Sequence, residues 1–131
     1  MTEPETPVVG PLLLARDFQS TLGFYEILLG VTAEGAAPYA KLRTRSSTLS
    51  VVDGRWWSQV SGSEYSPFGG AGPSQTLLMV QVADVESEFE RLVSRGVRFL
   101  SPPLLREKIG ARNAFLRDPD GRTVMLSSTV S

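Results

Sequence analysis

Apolar and polar positions alternate along the chain in two similar runs, separated by a stretch where the alternation disappears. "VVGPLLLAR" (8–16) predicts an apolar strand with Gly10 and Pro11 near its start. Asp17 then stands where a helix cap belongs, Leu22, Tyr25 and Leu29 recur at helical spacing, and Gly30 follows as a stop. "YAKLRTR", "STLSVVDG" and "RWWSQV" read as three short strands joined by turns. Residues 61–74, "SGSEYSPFGGAGPS", are crowded with Gly, Ser and Pro and read as a connecting loop.

The series then restarts. "QTLLMVQV" predicts a buried strand, and Asp84 caps a second helix with Val85, Phe89, Leu92 and Val93 on one face. Glu86, Glu88 and Glu90 lie toward its start and Arg91 and Arg95 toward its end, as the helix dipole favours, and Gly96 ends it. Strands follow around 97–100 and across 113–127. The second of these contains a hairpin turn in which Pro119 presets φ and Gly121 supplies the left-handed residue.

The two runs align. Asp17 and Asp84 are 67 residues apart, and Asp53-Gly54-Arg55 stands at the same distance from Asp120-Gly121-Arg122. The expected fold is therefore α+β: two β-α-β-β-β modules, at about 8–60 and 75–128, within one domain spanning 1–131.

Composition narrows the chemistry. In 131 residues, 13 basic and 14 acidic side chains leave a net charge of −1, which gives no electrostatic grip on nucleic acid. Cysteine and histidine are both absent, so thiolate chemistry, disulfides and the commonest metal ligand and proton carrier are excluded. The start "MTEPETPVVG" lacks the basic and apolar regions of a signal peptide, and no run has the length to span a bilayer. The expectation is a soluble cytoplasmic protein that engages neither membrane nor nucleic acid.

"ARDFQSTLGFYEILLGV" and "FLRDPDGRTVMLS" together, at repeat spacing, resemble the opening and closing segments of a vicinal oxygen chelate module. That superfamily includes glyoxalase I, extradiol dioxygenases and bleomycin-resistance proteins. The resemblance covers 8–127 and implies curved half-barrel sheets and a homodimer with modules exchanged between subunits. It also implies four metal-ligand positions, which fall on Gly10, Leu77, Met125 and, by the repeat, Ser58. None is a credible ligand for a divalent ion, so no metal and no cofactor are expected. The same positions would face the concave side of the sheet, where Met125 and Leu77 would line an apolar cavity.

Other candidates for that cavity are Trp56, placed inward by parity with Ser58, and Met79 and Phe115 as apolar walls. Trp56 and Trp57 would point to opposite faces of their strand, and core or interface packing is the alternative for both. Tyr39 is a further candidate, and Arg112 and Asn113 could supply polar contacts. Tyr65 and Phe68, in the Gly-rich loop, read either as a lid or as tethers for the linker. Lys41, Arg43 and Arg45 read first as a solvated strand edge blunted by charge, with an anionic ligand group as the second reading. No paired carboxylates stand at informative spacing.

The expected function is a metal-independent binding protein of the bleomycin-resistance type, sequestering a flat apolar or aromatic natural product such as an antibiotic, with no catalytic residue. The alternatives are a metal-independent isomerase, cyclase or lyase of secondary metabolism, and a regulatory or accessory subunit.

Overall fold

Both helix caps form as expected in the computed structural model, which describes residues 4–5, 10–61 and 77–129. The first module runs β1 (Leu12–Ala15), α1 (Phe18–Leu29), β2 (Glu34–Ala36), β3 (Tyr39–Arg43), β4 (Thr48–Asp53) and α2 (Gly54–Ser61). The second runs β5 (Leu78–Gln81), α3 (Val85–Ser94), β6 (Leu104–Arg106), β7 (Ala111–Arg117) and β8 (Thr123–Thr129), with a 3-10 turn at Glu107–Ile109. The chain divides into two compact units, 1–68 and 69–131.

Each unit holds one four-stranded mixed sheet, ordered β1-β4-β3-β2 and β5-β8-β7-β6. In both, the first strand pairs in parallel with the last and the remaining pairs are antiparallel. The fold is α+β, two β-α-β-β-β modules.

Asp17 accepts the Ser20 N–H and Asp84 the Glu86 N–H, each filling a donor that the first helical turn leaves unpaired. Gly30 ends α1 at φ 67°, a left-handed conformation that suits glycine. α1 and α3 each cover one face of their own sheet. In the first module Phe18, Leu22, Tyr25 and Leu28 of α1 are buried, as are Leu13, Ala40, Leu42 and Val51 of the sheet, and α1 packs on β3 and β4. In the second, α3 packs on β7 and β8, and Val85 and Leu92 are buried with Ala114, Leu116, Val124 and Leu126. The Val85 N–H donates to Ser128 Oγ, which ties the start of α3 to β8. Phe89 stacks tilted on Phe99, whereas Val93 is exposed and lies off the buried stripe.

Three elements differ from the expected assignment. "RWWSQV" is not a strand but most of α2. β4 is already flanked by β1 and β3, so no sheet edge is open to a strand there. Asp53 Oδ1 instead accepts the Arg55 and Trp56 N–H groups and starts a helix. The module's remaining strand is instead β2, Glu34–Ala36, an exposed edge with no large apolar residue and therefore no hydrophobic signal. In the second module, Phe99 makes only an isolated bridge to Leu116, and the edge strand lies at Leu104–Arg106.

These changes move the repeat. Through the strand registers, Ala40, Leu42 and Arg43 match Ala114, Leu116 and Arg117, 74 residues on, whereas the caps are 67 apart. The two Asp-Gly-Arg triplets are not equivalent. The first follows the closing strand and opens α2; the second forms the turn before the closing strand, where Asp118 accepts the Asp120 and Arg122 N–H groups and the Arg122 guanidinium.

Candidate functional site

Side chains paired across a sheet share a face, so register alone defines the surface that each helix leaves uncovered. In the second module one row crosses three strands on the face away from α3: Met79 on β5, Met125 on β8 and Phe115 on β7. Met79 is 61% exposed, and Met125 and Phe115 are half-buried. The neighbouring row reads Gln81, Ser127, Asn113 and Leu104. Asn113 is 2% exposed, and its Oδ1 accepts a 3.1 Å hydrogen bond from Arg106 Nε. A guanidinium and a carboxamide thus stand fixed beside an apolar strip of two thioethers and a ring. Thioethers adapt to irregular apolar shapes, and a phenyl ring offers a flat surface for stacking.

The same face of the first module is built differently. Its matching row is Leu12, Ser50 and Lys41, with Glu34 at the edge, and the next is Leu14, Val52, Tyr39 and Ala36. The Tyr39 and Ser50 hydroxyls are 3.1 Å apart, within hydrogen-bonding distance. Arg43 donates to the Glu34 carboxylate, closing the edge with an ion pair.

Of the residues singled out from sequence, Met79, Met125, Phe115 and Asn113 share one face. Leu77 is exposed just ahead of β5, and Tyr39 lies on the first module's sheet. Arg112 does not join Asn113. It pairs with Glu86 of α3, on the other face of the sheet, because adjacent strand residues point opposite ways. Trp56 and Ser58 are on α2: Trp56 is 39% exposed, and the Ser58 hydroxyl turns back to the Gly54 carbonyl. Tyr65 and Phe68 lie outside the described residues. Arg106 is not among the residues singled out from sequence; it pairs with Ala111, two residues before Asn113 on the same face of β7, a register that only the position of β6 reveals.

The register also corrects one metal-ligand position that the resemblance implies. The residue matching Met125 is Ser50, not Ser58, since Leu12 pairs with Ser50 as Met79 pairs with Met125. The four positions are then Gly10, Leu77, Ser50 and Met125. At Gly10, with φ 147°, a Cβ would run into the Thr48 carbonyl oxygen, so no side-chain donor fits. This set offers no carboxylate or imidazole, and among the described residues no three Asp or Glu side chains gather into a metal site. The residues present do not fit a divalent ion. No helix among the described residues is long and apolar enough to cross a membrane.

Comparison with known proteins agrees with this architecture. The family model of the Glyoxalase/Bleomycin resistance protein/Dioxygenase superfamily matches residues 8–126. An uncharacterized protein, YraH, from Bacillus subtilis (strain 168) is 29% identical over 111 residues, covering 82% of this chain and 87% of its own. Among solved structures, a protein of unknown function from Agrobacterium tumefaciens str. C58 superposes with a TM-score of 0.77 at 24% identity, over 98% of each chain. A glyoxalase/bleomycin resistance protein/dioxygenase from Nocardioides superposes with a TM-score of 0.76 at 22% identity, covering 98% of this chain and 87% of its own.

Proposed function

The chain belongs to the Glyoxalase/Bleomycin resistance protein/Dioxygenase superfamily, and on that footing we propose that it is a metal-independent small-molecule binding protein. Its guest is a flat, largely apolar natural product, such as an antibiotic, held in the cytoplasm without covalent change. The observation that carries this reading is the strip of Met79, Met125 and Phe115, whose central member Met125 stands at a position where the resemblance implies a metal ligand. Apolar contact with the strip supplies affinity, and the Arg106–Asn113 pair supplies orientation. A preformed strip between hydrogen-bonded strands lowers the ordering cost of binding. Trp56, now on a helix, is not needed as the stacking platform.

The working unit is proposed as a homodimer with exchanged modules; sedimentation velocity tests the dimer. The binding reading itself is tested by a thermal-shift screen of polycyclic and glycopeptide antibiotics. A binder raises the melting temperature with its concentration, and Phe115→Ala should remove most of that rise. Recovery of the compound unchanged after long incubation supports sequestration. Conversion to an isomer or cleavage product would instead make the protein a metal-independent enzyme.

A further inference from the structure

The Leu12, Ser50 and Lys41 row of the first module carries a group of donors with no acceptor assigned to it. Glu34 is the register partner of Lys41, and one oxygen of its carboxylate accepts from Arg43. Among the described residues Lys41 has no carboxylate partner, and its ammonium lies 5.8 Å from the centre of the Tyr39 ring. The Tyr39 and Ser50 hydroxyls spend one of their two hydrogens on each other, which leaves one to donate elsewhere. Ser50 is 9% exposed, a polar group held in a row whose β1 member is Leu12. Adjacent strands are about 4.8 Å apart, so roughly 10 Å separates the leucine end of the row from the lysine end.

We propose that this row is a binding site for an organic carboxylate with an apolar body. The carboxylate accepts from the Lys41 ammonium and from the free hydroxyl hydrogen of the Tyr39–Ser50 pair. The body lies along β4 toward Leu12. A cation alone would attract any anion; the ammonium and hydroxyl donors beside an exposed leucine select an acid of benzoate size. The site lies in the other module from the strip proposed above and stands whether or not that strip binds an apolar guest.

The test is a titration of the full-length protein with benzoate, followed by amide chemical shifts, with acetate and benzyl alcohol as comparisons. Saturable shifts should map to β1, β3 and β4 and leave β7 and β8 unmoved. Benzoate should bind at least fivefold more tightly than acetate, and benzyl alcohol should not saturate. Lys41→Gln should weaken benzoate tenfold or more, and Tyr39→Phe and Ser50→Ala two- to fivefold each, with the remaining spectrum unchanged to show that the fold is kept. Absence of saturation, equal binding by benzyl alcohol, acetate matching benzoate, or affinity indifferent to Lys41→Gln would each overturn the proposal.

Discussion

The matching rows of the two modules carry opposite chemistry on one backbone plan. Across β1, β4 and β3 the residues are Leu12, Ser50 and Lys41; across β5, β8 and β7 they are Met79, Met125 and Phe115. The flanking buried positions agree closely, with Leu42 against Leu116 and Ala40 against Ala114. Core demands repeat because each module must bury a helix against a sheet. The face away from α1 or α3 does not bury that helix, and its residues differ between the modules.

The difference between the two faces can be tested within a single strand. Leu126→Ala, on the buried face of β8, should cost about 3 kcal/mol in urea unfolding, whereas Met125→Ala beside it should cost about 1 kcal/mol. Equal losses would mean that both faces of this sheet are core.

The two Asp-Gly-Arg triplets give the next contrast. Asp118→Ala removes a buried carboxylate that holds Arg122 and two backbone N–H groups, and should cost about 3 kcal/mol. Asp53→Ala removes only the cap of α2 and should cost about 1 kcal/mol. Similar values from denaturation would restore the equivalence of the triplets.

Gly10→Ala should destabilise by about 2 kcal/mol, through its positive φ and the Thr48 carbonyl. Leu77, its counterpart ahead of β5, should accept Ala with little change because its side chain is exposed. Thermal unfolding of both variants checks this.

The smallest effect concerns Asp84. The Ser87 hydroxyl, and then the Glu86 N–H, hold its carboxyl below the usual 3.8. Its folded pKa is lowered, so its contribution is present above pH 3.8 and is lost as pH falls through the lower folded value. Amide shifts of Glu86 and Ser87 should follow that acid titration, and Asp84→Asn should flatten it.

Much of this architecture could be read directly from the residues. Capping aspartates, helical spacing and the Pro119–Gly121 turn located α1, α3 and the closing hairpin, because those signals act within a few residues. Period-two alternation likewise put Met79 and Met125 on one face and Val124 and Leu126 on the other. It also forbade Arg112 and Asn113 from sharing a face. The better repeat, Ala40-Leu42-Arg43 with Ala114-Leu116-Arg117, was present in the sequence but overshadowed by the coincidental triplets.

Local sequence thus determined α1 and α3, the turn and the side each strand residue would take. Tertiary structure alone decided that Glu34–Ala36 completes the first sheet, that residues 54–61 coil, and that Ser50 stands opposite Leu12. Strand membership depends on which edges remain unpaired, and an edge is a property of the assembled sheet.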